Sequence, residues 1–161
     1  MKSATLRELK RELQDLPPHE VTELCLRLCR FKKENKEMMT YLLFESHDEA
    51  SFIEGVKEEI DERFRMVNRK SPYYVRKSFR SILQTTRKFI RYSGNKETEV
   101  ELLLHFCSQL RSFRPDIGQN RRQLNIYLKL MEQLQKKIDA LHEDLQYDFR
   151  RDWRKLNEDL Y

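Results

Sequence analysis

Two residues with acid–base and metal-binding side chains, Glu101 and His105, are four positions apart and therefore share one face of a predicted helix. A carboxylate-bridged di-iron bundle needs a Glu-x-x-His pair on each of two helices, and the sequence contains no such pair. On a charged helix, a lone Glu/His pair is usually a solvated contact between side chains one turn apart. We therefore expect neither a metal ion nor another cofactor.

Cysteine and histidine motifs are incomplete in the same way. Cys25 and Cys29 are one helical turn apart, but no second pair completes a zinc site, and cysteine on an apolar stripe packs as a small hydrophobic side chain. His142 and Glu143 begin like the helix of a zinc protease, but Gln146 stands where the second histidine is required. No catalytic residue is predicted, and we expect a protein that is not an enzyme. An unrecognised enzyme, with a site assembled from distant residues, is the remaining alternative.

The segment SPYYVRKSFRSILQTTRKFIRYSG, residues 71–94, contains six Lys or Arg residues and no Asp or Glu. At 100° per residue its apolar side chains fall on one side of a helix, and four arginines form a row on the other. Arginines beside exposed tyrosines can contact phosphates and stack on unpaired bases. The same face can instead dock an acidic protein, or be only the solvated side of an amphipathic helix.

The acidic start of the next predicted helix, residues 97–101, follows a tight turn, and we expect it to lie close to residues 87–91 and neutralise part of their charge. The N-terminal end of the basic segment, from residue 69 to residue 80, is therefore the preferred contact region. The predicted contact residues for a partner or a nucleic acid are Arg69, Lys70, Tyr73, Arg76, Lys77, Arg80, Arg87 and Arg91.

The elements that position these residues are predicted to be helices throughout. The 161 residues include 3 Gly and 4 Pro, too few turn residues for a β-rich fold. Apolar residues recur every three or four positions along almost the whole chain. The pattern predicts an all-α single domain over residues 1–161, with six or seven helices in antiparallel pairs, arranged as a bundle or a short helical-repeat-like stack.

The last segment, residues 121–161, is predicted to be one long helix. Its apolar residues step by three or four from Leu124 to Phe149, and an unbroken helix over 121–150 would be about 45 Å long. That length exceeds the width of so small a domain. The helix therefore either breaks near residues 143–147 or projects and packs on another chain, which would make a homodimer. Packing against the earlier helices of the same chain is the simpler alternative.

The composition of the chain predicts the compartment in which the protein is found and the charge of its partners. Three cysteines without dense spacing indicate a reducing compartment, and there is no apolar leader and no run of 18 apolar residues. These features predict a cytoplasmic protein without a membrane segment. The formal net charge of +5 favours acidic partners such as RNA, DNA or an acidic protein.

Two runs, LPPHEVTELCLRLCRFKKENKEMMTYLLFE (16–45) and LHEDLQYD (141–148), carry a resemblance to small helical bacterial proteins of unknown function. The resemblance implies a predominantly helical cytoplasmic protein and no particular activity. We expect a non-catalytic interaction or adaptor protein that docks an acidic partner through its basic helix face. An RNA- or DNA-binding protein that uses the same face is the alternative.

Overall fold

The computed structural model describes residues 2–158, and within them the chain is all-α, with eight α-helices and no strand. The count exceeds the predicted six or seven, in part because the C-terminal segment is divided in two. The helices are α1 (Leu6–Gln14), α2 (Pro18–Phe31), α3 (Lys33–Thr40), α4 (Glu49–Arg65), α5 (Pro72–Ser93), α6 (Lys96–Ser112), α7 (Arg121–Asp139) and α8 (Glu143–Glu158). By their contacts they form an N-terminal unit, Met1–Phe44, and a C-terminal unit, Glu45–Tyr161.

In the N-terminal unit, local signals define the helices well. Thr5 and Glu8 form a capping box, in which each side chain accepts a hydrogen bond from the other residue's backbone N–H. Pro18 occupies the first turn of α2, where no hydrogen bond is lost. The amide of Asn35 donates to the carbonyl of Leu28 and joins α3 to α2. No residue of α1, α2 or α3 is buried.

In the C-terminal unit, α6 is the central helix, and α4, α5, α7 and α8 all pack against it. Its buried side chains cover about two thirds of the circumference of the helix rather than one narrow stripe, as expected of a helix that several neighbours contact. They are Thr98, Val100, Leu102, Leu103, Leu104, Phe106, Cys107 and Leu110.

The helix that carries the basic segment, α5, spans almost all of residues 71–94, from Pro72 to Ser93. The hydroxyl of Ser71 caps its first turn, and Pro72 begins it. Gly94 ends it in the left-handed conformation, with φ of 67°, which glycine adopts without a steric penalty. Asn95 then caps α6 through its side chain, so the chain reverses direction within two residues.

The C-terminal segment is two helices, and the break lies at residues 140–142, just before the predicted position. The side-chain amide of Gln146 donates to the carbonyls of Leu141 and Asp139, which lie at the end of α7 and have no partner within a helix. Arg150 also pairs with the carboxylate of Asp139 at 2.8 Å. A residue in the second helix thus stabilises the end of the first.

Two further hydrogen bonds hold α8 against α7. The hydroxyl of Tyr127 donates to the carbonyl of Leu156 at 2.6 Å, and the indole N–H of Trp153 donates to the carbonyl of Met131 at 2.9 Å. The apolar stripe of α7 from Met131 to Ile138 is buried within the chain. Three of the residues on which a dimer through this segment would depend, Met131, Leu134 and Ile138, therefore pack intramolecularly.

Replacing Phe106 with alanine is expected to lower the free energy of unfolding by about 3–5 kcal/mol, because the ring is fully buried and its loss leaves a cavity. The control Leu128→Ala removes a side chain that is 44% exposed and should cost less than about 1 kcal/mol. Urea unfolding followed by Trp153 fluorescence measures both. A loss for Phe106→Ala no larger than that of the control would contradict the central position of α6.

Candidate binding groove

A groove of ≈ 560 Å³ runs between α5 and α7 on the C-terminal unit. Its lining residues are Arg76, Arg80, Leu83 and Arg87 from α5, and Arg122, Asn125, Ile126, Lys129, Leu130 and Gln133 from α7.

The groove has an apolar floor and a basic rim. Leu83 and Leu130 are buried, and Ile126 is half-buried between them and the rim. On α5 the arginines of the rim are separated by four and seven residues, which places them on one face of the helix. A guanidinium N–H of Arg87 donates to the side-chain oxygen of Gln133 at 3.4 Å and links the two helices.

Every charged side chain in the described lining of this groove is positive: four arginines and one lysine. Like charges along a concave surface raise the local positive potential and attract anions. Arg76 is half-buried, and its guanidinium lies 5.7 Å from the centre of the Tyr73 ring. The arrangement provides charge and shape that suit a negatively charged, partly apolar ligand.

Three of the eight predicted contact residues, Arg76, Arg80 and Arg87, line the groove. The other five lie outside its described lining. Among them, Arg69 lies over the Phe113 ring at 5.0 Å, and Tyr73 is exposed and meets Tyr74 edge to face. The remaining three, Lys70, Lys77 and Arg91, are exposed.

Arg122 and Lys129 are groove residues that the sequence analysis missed. They are seven residues apart in α7 and therefore share a face beside its apolar stripe. This spacing was visible in the sequence. Nothing in the sequence pattern indicated that α7 would lie next to the arginine row of α5.

The glutamates at the start of α6 take other partners than the predicted ones. Glu99 pairs with Lys137 of α7 at 2.8 Å, and Glu101 pairs with Lys57 of α4 at 2.7 Å. These two carboxylates were expected to neutralise the C-terminal end of the basic helix. Their ion pairs instead link α6 to α7 and α4.

Glu101 and His105 line a second pocket, of ≈ 500 Å³, whose walls come from α4, α6 and α8. His105 Nε2 lies 2.6 Å from the carboxylate of Asp61. Burial opposes the charge of Lys57, but its hydrogen bonds to Glu101 and Glu54 outweigh that effect and raise the pKa of its ammonium group. In residues 2–158, no group of three or more His, Cys, Asp or Glu side chains could hold a metal ion. The contacts of Glu101 with Lys57 and of His105 with Asp61 link α6 to α4.

The three cysteines are free thiols in different surroundings. Cys107 is buried in α6, and burial raises the pKa of its thiol to about 12. Cys25 and Cys29 are only half-buried in α2, although the sequence pattern predicted burial.

Within the described part of the chain, no helix combines the length and the apolar character needed to cross a membrane. No protein-family model, curated protein or solved structure matches the chain at a significant level.

A maleimide added to the native protein near neutral pH is expected to label Cys25 and Cys29 well before Cys107, because the thiolate is the reactive form and Cys107 is both buried and protonated. Mass spectrometry of the intact protein counts the labels over time. A Cys107→Ser variant should give the same early labelling as the wild type. Equal labelling rates for all three thiols would show that the core around α6 is open.

Proposed function

We propose that the protein is a non-catalytic interaction module that docks an acidic partner in the groove between α5 and α7. The observation that carries this proposal is the combination of five cationic side chains with an apolar floor in one groove. The polar side chains of the lining are arginines, a lysine and two amides, which bind and orient anions.

The partner that fits this combination best is an amphipathic helix with acidic residues on its flanks. Its apolar side chains would cover Leu83, Ile126 and Leu130, which removes that surface from water. Its carboxylates would reach the arginines on both sides, and guanidinium groups bind carboxylates through two parallel hydrogen bonds. The apolar contacts and the ion pairs can form at the same time, because the cations lie on both helices, on either side of the apolar floor.

Charge reversal on α7 tests the groove. Arg122→Glu and Lys129→Glu should each weaken binding of a fluorescent helical peptide, with glutamates on one face and leucines on the other, by roughly tenfold, about 1.4 kcal/mol. Lys77→Glu and Arg91→Glu make the same charge change on α5 but outside the described groove lining, so they should have a smaller effect. Fluorescence anisotropy at constant ionic strength measures all four.

Circular dichroism of each variant shows whether it is folded. If the α5 variants weaken binding as much as the α7 variants do, attraction depends on overall charge and the groove has no special role. If none of the four changes binding, the proposal is wrong.

A second candidate, binding of single-stranded RNA or DNA, is favoured by a different observation. Tyr73 is exposed at the start of α5, one turn before Arg76, and Tyr74 contacts it edge to face. Exposed aromatic rings beside arginines form the platform on which unpaired bases stack.

For this candidate, Tyr73→Ala is expected to weaken binding of a fluorescent single-stranded RNA by about 1–3 kcal/mol, the usual contribution of one stacked base. The affinity should also fall steeply with the logarithm of the salt concentration, because phosphate contacts release counterions. Tyr147→Ala, which removes an exposed tyrosine of α8, is the matched control. RNA binding that is equal in both variants would exclude a stacking role for Tyr73, and acidic-peptide binding should not change in either.

A further inference from the structure

The N-terminal unit presents apolar surface that its own helices do not cover. In α1, Leu6, Leu9 and Leu13 step by three and four residues, and Leu6 is 85% exposed. The helix has 9 residues, whereas isolated helices shorter than about 12–15 residues are marginal in water even with good caps. Burial of its leucine face must therefore supply most of its stability.

The second helix has one covered edge and one open edge. Cys29 and Asn35 meet where α3 folds back, and the adjoining residues Val21 and Cys25 are half-buried. The open edge carries Leu24, Leu28 and Phe31, again at steps of four and three, and Phe31 is 75% exposed. Helices α1 and α2 thus both display the spacing of a coiled-coil seam, and the side chains of that seam are exposed in the described part of the chain.

The area of this exposed apolar surface is comparable to the area that one partner buries in a protein–protein interface. Eleven large apolar side chains of the N-terminal unit are at least 41% exposed. Six of them, Leu6, Leu9, Leu13, Leu24, Leu28 and Phe31, lie on the open faces of α1 and α2. These six offer apolar surface on the order of 600 Å², and each partner in a standard interface buries about 800 Å². Apolar surface of this amount marks a site of association rather than an ordinary solvated face.

The charged residues of α1 and α2 indicate what kind of partner surface could cover their leucine faces. Helix α1 carries three basic and two acidic residues, and α2 carries two of each. A balanced face of this kind is a poor complement for a strongly charged partner. It also lacks the basic polar side with which amphipathic helices bind anionic lipids. Another face with the same balance can approach it without net repulsion, and a heptad seam is complementary to itself.

We infer that the open leucine faces of α1 and α2 pair with the same faces of a second copy of this chain, so that the N-terminal unit is a dimerisation element. This role is separate from anion binding, because the groove belongs to the C-terminal unit. It also differs from dimerisation through the C-terminal segment, in which Met131, Leu134 and Ile138 are buried within the chain.

Light scattering on the full chain during size-exclusion chromatography tests the inference. The wild type should have twice the monomer mass of 19.8 kDa, and Leu9→Glu combined with Leu28→Glu should return it to the monomer mass. The control Leu128→Glu makes the same change on α7 at a leucine that is 44% exposed, close to the 47% of Leu9, and should remain dimeric.

Trp153 fluorescence should be the same in the double variant and the wild type, which shows that the C-terminal unit is intact and that the loss of mass is not general unfolding. A monomeric wild type at every concentration, or a double variant that remains dimeric, would overturn the inference. Flotation of a monomeric wild type with phosphatidylserine vesicles would also overturn it, and would identify the leucine faces as a membrane-surface element.

Discussion

The enclosure of α6 is the constraint on which the C-terminal unit depends. A helix with apolar side chains over most of its circumference needs several neighbours, and here four other helices pack against it. Helix α8 turns back on α7 and contacts α6 as well, and the hydrogen bonds of Tyr127 and Trp153 to backbone carbonyls hold it there. The packing around α6 explains the groove. Because α5 and α7 both pack on α6, their outward-facing flanks border a common furrow, and the cations of both helices line it.

The polar residues of α6 show how a central helix is oriented when apolar contacts alone would allow many rotations. Glu99, Glu101 and His105 each reach a partner on a surrounding helix: Lys137 on α7, and Lys57 and Asp61 on α4. Partly buried ion pairs contribute little net stability, because desolvation offsets the attraction. A wrong rotation of α6 would, however, leave a charge buried without a partner, which costs several kcal/mol. These pairs therefore select one arrangement more than they strengthen it.

Local signals in the sequence were sufficient for the all-α class and for the bounds of α5, since Ser71, Pro72 and Gly94 act on the residues beside them. Helical periodicity was less informative for α6, because its buried residues do not form a single stripe with a period of 3.6 residues. Half of the groove followed from helical periodicity, which placed Arg76, Arg80 and Arg87 on one face. The other half depended on which helix lies next to α5, and that is decided by packing over distances that periodicity does not reach. The break before α8 likewise depends on Gln146, whose hydrogen bonds to the end of α7 are a tertiary feature.

The two links between α4 and α6, Lys57 with Glu101 and Asp61 with His105, both join residues 44 positions apart. Since the separation is the same in both links, α4 and α6 run in the same direction. Helix α5 is the connection that returns the chain from the end of α4 to the start of α6. Neither a hairpin of α4 with α5 nor one of α5 with α6 can form these links alone. Closing a segment of this length costs conformational entropy before any contact is gained. Folding of this unit should therefore resemble that of parallel structures with a crossover, in which distant segments meet in one cooperative step, and should be slower than is usual for a helical bundle of its size.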